Sequence, residues 1–198
     1  AQNGFGAANK LNNLLMTPLN GLGAAMTSFT AQNLGAGNHA RIKKGTAQAL
    51  LVVWIMCLIS IAAGLLLSRG RVYLYLFLSP DKVTAETLRY GNTYLYIDLS
   101  LYLFLGFIFV VRNCVQGIGR PQYVLGAGAA ELIARVSVCL LLPPLLAGGT
   151  VSAAAPRAAV YALCFADPFA WIAADAVLLV PFLRNIMRMD YSYLRGGM

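Results

Sequence analysis

Four carboxylates, Asp98, Glu131, Asp167 and Asp175, stand in or near long apolar runs. A charge at membrane depth is costly unless it is paired, protonated or facing water, so each of the four marks a site by default. Asp98 lies four residues from both Tyr94 and Tyr102, near the end of its run, where hydration at an interface is the competing reading. Asp167 and Asp175 flank Trp171 at i±4, which sets all three on one helical face beside Pro168. Such a face offers an aromatic and anionic lining for a cation; Asp175 could equally pair a basic side chain on a neighbouring helix. Glu131 and Arg135 are spaced i,i+4 in the orientation that favours an ion pair. They read either as a self-neutralising pair or as a point where a proton or cation is exchanged.

A second pattern is uncharged. Asn13, Thr17, Asn20, Ala24, Thr27 and Ala31 recur at intervals of four and three, making one small, polar helical face. It suits a cavity wall that hydrogen-bonds substrate or water, or close helix packing through small residues. Arg112 and Gln116 sit beside a turn, where snorkelling accounts for a basic side chain. His39 has no acidic or cysteine neighbour, and Cys57, Cys114, Cys139 and Cys164 lack metal or redox spacing and read as small buried hydrophobes. No Ser/His/Asp set can be assembled, and QNLGAGNHARIKKG lacks the spacing of a phosphate-binding loop. The chain therefore reads as neither an enzyme nor a primary ATPase.

The elements that hold these residues are dictated by composition. Hydrophobic residues make up 59% of the chain and charged residues 11%, with a mean hydropathy of +0.68, whereas a soluble domain carries about 25% charged residues. Continuous apolar runs of about 20 residues suit helices crossing a hydrocarbon layer, and membrane barrels would need alternation instead. The expected fold is an all-α polytopic transmembrane bundle, with spans near 8–34, 46–68, 92–117, 121–147 and 158–183 forming one membrane domain over 1–198. Pro18 interrupts the first span, placing it against protein or a cavity rather than lipid all round. Between the second and third spans, Ser79-Pro80-Asp81 followed by ETLRYG reads as a short capped interfacial helix. The net charge of +8 does not point to nucleic acid, because the basic residues cluster at the ends of apolar runs. Arg41, Lys43, Lys44, Arg112, Arg120, Arg184, Arg188 and Arg195 share one side, against Lys10, Arg69, Arg71, Lys82, Arg89 and Arg157 on the other. The dense loop NHARIKKG makes the first side, with the carboxy terminus, cytoplasmic.

Three stretches then resemble one family. GFGAANKLNNLLMTPLNGLGAAMTSFTAQNLGAGNHARIKKG, with its Gln32, Gly35, Ala36 and Gly37 turn, is similar to the second helix of a lobe in MATE (multidrug and toxic compound extrusion) transporters. RNCVQGIGRPQYVL resembles the turn between the fourth and fifth helices of such a lobe, and DPFAWIAADAVLLVPFLRN its last helix. The resemblance implies helices eight to twelve of a twelve-helix fold: a partial carboxy-terminal lobe whose amino-terminal partner lobe and own first helix lie outside the chain. A start at Ala1 without an initiator Met fits a fragment. It also implies a cell-membrane antiporter, plasma or inner, that exports cationic or amphipathic small molecules by alternating access, coupled to Na⁺ or H⁺ and needing no other cofactor. Some members carry an acid in the fourth helix of this lobe near the position of Leu105 here. By type and spacing the candidates for a substrate cavity are Asn13, Thr17, Asn20, Asp167, Trp171 and Asp175, and those for coupling are Glu131, Arg135 and Asp98. A lipid or polysaccharide flippase of the same broad fold, and a non-transporting membrane assembly module, are the alternatives.

Overall fold

A computed structural model of the protein describes residues 2–69, 72–148 and 157–188. Every regular element among the described residues is helical. Helix α1 (Gln2–Gly35) carries the good helix formers Ala and Leu along its length and runs through Pro18 for 34 residues. It ends where Gly37 takes a left-handed φ of 70°. The Asn38 amide then reaches back to the Asn33 carbonyl at 2.8 Å and the Gly37 amide to Leu34 at 3.0 Å, so these two carbonyls are satisfied by the turn itself. α2 (His39–Arg69) follows at once.

The segment after α2 departs from expectation. α3 (Val72–Phe77) is a short helix, and Pro80–Lys82 is a single 3₁₀ turn. ETLRYG does not form a separate interfacial helix. Thr84 caps α4 (Ala85–Ser100) by accepting from the Thr87 amide at 3.1 Å, so these residues are the first turns of the next long helix. The expected third span is bent by 54° between α4 and α5 (Tyr102–Gly117). The turn after α5 repeats the one after α1: Gly119 has φ 74°, the Arg120 amide bonds the Val115 carbonyl and the Gly119 amide bonds Gln116. Pro121, whose missing N–H is harmless at a first helical position, opens α6 (Pro121–Ala147) with the expected bounds. The final span is α7 (Arg157–Ala162), a 3₁₀ turn over Leu163–Phe165, α8 (Ala166–Pro181) and a π-helical turn over Phe182–Ile186.

Among the described residues, three stretches are long and apolar enough to cross a membrane, α2, α6 and Ala158–Ile186, with a fourth if the bent α4–α5 pair is one span. The fifth expected span, α1, is long enough at about 50 Å, but Asn, Gln, Thr and Gly make it less apolar than the others. The outer faces show the same contrast. α2 exposes Leu51, Val52, Ile55, Leu58 and Ile59, and α6 exposes Leu125, Leu132, Ile133, Leu140 and Leu141, as helices facing hydrocarbon do. Of the topological markers, Arg71 and Arg195 lie outside the described residues.

Two compact units are present, Ala1–Thr17 with Leu58–Tyr102 and Leu132–Ala170, and Pro18–Cys57 with Leu103–Glu131 and Trp171–Met198. In both, small residues let helix backbones approach closely, which is how packing energy is gained where burial from lipid contributes little. In the first unit a Cβ at Gly4 would overlap the Thr87 carbonyl, and one at Gly91 would strike the Tyr73 hydroxyl and the Gly4 backbone. Tyr73 is fully buried and donates to Asn92 Oδ1 at 2.8 Å. In the second unit a Cβ at Gly117 would lie 2.7 Å from the Thr27 carbonyl, and one at Gly23 would lie 3.0 Å from that of Phe109. Three cysteines, Cys57, Cys114 and Cys164, are buried as expected; Cys139 is exposed on α6.

These contacts predict a graded response to the same small change. Gly4→Ala should destabilise by about 1–3 kcal/mol because backbone, not a flexible side chain, must yield. Gly6→Ala, which meets nothing within 4 Å, should be neutral or stabilising by up to about 1 kcal/mol. Thermal unfolding of both variants in detergent checks the difference.

Candidate functional site

The first unit holds a polar network drawn from α1, α4, α6 and α8. Asp98 is fully buried. Its Oδ2 accepts a hydrogen bond from Asn12 Nδ2 at 2.7 Å, and the Tyr102 hydroxyl donates to the Asn12 carbonyl at 3.3 Å, fixing the turn of α1 that carries the amide. Asp98 Oδ1 and the side-chain oxygen of Asn12 have no hydrogen-bonding partner among the described residues. Tyr94, one helical turn before Asp98, accepts from Asn9 Nδ2 at 3.2 Å and donates to Asp167 Oδ2 at 3.4 Å. Its ring lies 4.5 Å from that of Phe5. Asp167 Oδ1 pairs with Arg135 Nε at 3.0 Å. Asp167 and Arg135 both stand close enough for their charges to act on Asp98. Two carboxylates thus face one guanidinium, with an unsatisfied acceptor oxygen at the buried end. In chemical terms this arrangement can hold a proton or a small cation.

The second unit holds another charged group. Arg112 Nη2 bonds Glu131 Oε1 across α5 and α6. Both stand near enough to Asp175 on α8 to act on its charge. The intrahelical Glu131–Arg135 pair expected from spacing does not form; each residue instead pairs with another helix, Glu131 with Arg112 and Arg135 with Asp167. Snorkelling to the interface therefore does not describe Arg112.

The aromatic and anionic face expected on α8 also divides. Asp167 is held by Arg135, Trp171 is only 3% exposed, and Asp175 lines a mainly apolar pocket. Asn13, Thr17 and Asn20 are exposed along α1, as are Ala24 and Ala31. Asn13 donates to Asn9 Oδ1 at 2.9 Å, and Thr17 donates to the Asn13 carbonyl at 3.1 Å. Within this stripe Thr27 packs on a neighbour, donating to Asn113 Oδ1 at 2.8 Å. Sequence reasoning passed over Asn9 and Asn12, and read Arg112 as a snorkelling base rather than as the partner of an acid. Asparagines one turn apart in a spanning helix, and a base in the same span as an acid, were the available signals.

Long helices with apolar outer faces, closely packed at small residues and carrying ionisable groups inward, define a multi-pass helical membrane protein. The chain belongs to the MatE family, whose model matches residues 3–141. It is 32% identical over 134 residues to a probable multidrug resistance protein, YpnP, of Bacillus subtilis (strain 168), covering 62% of this chain and 26% of the relative. The chain thus spans about a quarter of the length of the relative it matches. No solved structure matches it.

The exchanged pairing is directly measurable. Arg112→Gln and Glu131→Gln should each lower the melting temperature, and a double-mutant cycle should give a coupling of about 0.5–3 kcal/mol. The Glu131/Arg135 cycle should stay within the few tenths of a kcal/mol of an exposed i,i+4 pair, about 0.2–0.5 kcal/mol.

Proposed function

We propose that these residues form part of an ion-coupled exporter, an antiporter that drives cationic or amphipathic compounds out of the cell in exchange for Na⁺ or H⁺. The observation that carries the reading is the fully buried Asp98, held by Asn12 and flanked by Tyr94, Asp167 and Arg135 in a MatE-family chain. A buried carboxylate of this kind gains little for stability and much for exchange, because binding a proton or cation removes its cost of burial. Arg135 offsets one of the two negative charges, leaving the site a net single charge to be neutralised. The exposed Asn13, Thr17 and Asn20 face of α1 serves as the wall of an aqueous cavity, because polar side chains of a spanning helix are tolerated where they line water. The name of the relative, a probable multidrug resistance protein, supports a drug-like cargo. Such a transporter works by alternating access between two lobes, the second lying outside these residues, with the α1–α2 turn and the carboxy terminus cytoplasmic.

The complete transporter carrying Asp98→Asn, reconstituted in liposomes, should lose ion-driven efflux by roughly tenfold or more while remaining folded, since the amide preserves the bond to Asn12 and removes the exchangeable charge. Wild-type coupled efflux from this variant would end the proposal. Orientation is tested separately: a single-cysteine tag at His39 should be shielded from impermeant reagents in intact cells, and a tag at Lys82 should react. The reverse pattern would invert the topology.

A further inference from the structure

Where α1 meets α2, within the second unit, Phe29, Arg41, Lys44, Gly45 and Gln48 line a cavity of about 350 Å³. None of them belongs to the Asp98 network or to the Arg112–Glu131 pair. The half-buried Phe29 ring fits against α2 only because residue 45 is glycine, since a Cβ there would overlap the ring. The Arg41 guanidinium lies 6.0 Å from the centre of the same ring, a cation–π contact that fixes its place in the cavity wall. Arg41, Lys44 and Gln48 are all exposed. The charge here is uncompensated: no Asp or Glu occurs in residues 1–80, and no ion pair among the described residues involves Arg41 or Lys44. Nor do these cations serve the helix. They stand in the first two turns of α2, at the positive end of its dipole, where a basic residue is unfavourable. The face that carries Lys44 and Gln48 continues at helical spacing through Leu51, Ile55 and Leu58, and all three are exposed. Leu51 to Leu58 covers about 10 Å of helix axis, a large part of the roughly 15 Å of hydrocarbon in one leaflet.

We infer that this cavity binds the headgroup of an anionic phospholipid, with the phosphate on Arg41 and Lys44 and an acyl chain along Leu51, Ile55 and Leu58. Arg holds phosphate as a two-pronged donor and Lys as a point charge, and the Gln48 amide supplies a neutral donor for glycerol oxygens. A zwitterionic headgroup brings an ammonium that meets no carboxylate here, so net charge selects against it. A soluble phosphate gains the two cations and leaves the apolar stripe uncovered. An acidic protein segment cannot follow that stripe into hydrocarbon, because its own backbone would go unsatisfied there. The site depends neither on what the protein exports nor on which way round it sits in the membrane.

The test is native mass spectrometry of the full 198-residue chain released from detergent, with dioleoylphosphatidylglycerol and dioleoylphosphatidylcholine as probes. Their acyl chains are identical, so a difference reports the headgroup. The first phosphatidylglycerol should bind at about tenfold lower concentration than the first phosphatidylcholine, and Arg41→Gln combined with Lys44→Gln should abolish that preference. Lys82→Gln combined with Arg89→Gln removes the same charge from another part of the chain and should leave the preference intact. Equal loss in the two double variants would reduce the effect to net charge and overturn the site, as would equal binding of the two lipids by the native chain. sn-Glycerol 3-phosphate should not displace the lipid; displacement would make this a site for soluble phosphates and overturn the lipid assignment. Should the Arg41/Lys44 variant not fold, Gln48→Glu places a carboxylate in the cavity and keeps both cations. That change should weaken phosphatidylglycerol binding about tenfold, and undiminished binding would overturn the inference.

Discussion

A charge placed in hydrocarbon must find its counter-charge or its hydrogen-bond partners inside the protein, and the packing of these helices answers to that requirement. Two ion pairs, Arg112–Glu131 and Arg135–Asp167, join α5 to α6 and α6 to α8. Each makes one helix's polar residue depend on a neighbour's, so the charges that are costly in lipid also specify which helices sit side by side. α6 supplies a residue to both pairs, although most of its surface is apolar and exposed. Its Gly126 also lies against Val177 of α8, where an added Cβ would sit 3.6 Å from that side chain.

The remaining carboxylates, Asp98 and Asp175, are not neutralised in this way. Each keeps an oxygen without a hydrogen-bond partner among the described residues. Their surroundings differ: amide and phenol groups around Asp98, and aromatic and aliphatic side chains around Asp175.

Much of the fold is legible in the sequence where local chemistry decides. Gly37 and Gly119 mark helix exits because a left-handed residue is needed there, and Pro121 marks the start of α6. The acidic residues were identifiable because their type is rare at membrane depth. Their partners were not. The i,i+4 spacing of Glu131 and Arg135 fixes their separation along α6, but it says nothing of the Arg112 and Asp167 side chains that other helices bring closer. The break between α4 and α5 was hidden for a related reason: TYLYIDLSLYLFLGF contains no Gly or Pro at the bend, where the Leu101 amide turns back to the Asp98 carbonyl at 3.2 Å. Likewise ETLRYG has the caps of a short helix, and only its continuation into apolar sequence makes it the beginning of a long one.

The turn between α1 and α2 has a further consequence. The Gln32, Asn33 and Leu34 carbonyls accept from amides of the turn itself, and three residues lie between one long helix and the next. Such a link transmits rotation. Adding one residue to it would turn α2 about its own axis by roughly 100°. Trp54 would be carried away from the Leu103 carbonyl and Thr46 away from Cys114, contacts of 3.3 and 3.5 Å in the native register. The glycine turn thus acts as a phase setting for the helix that follows it, and the length of the link matters more than the identity of any exposed side chain upon it.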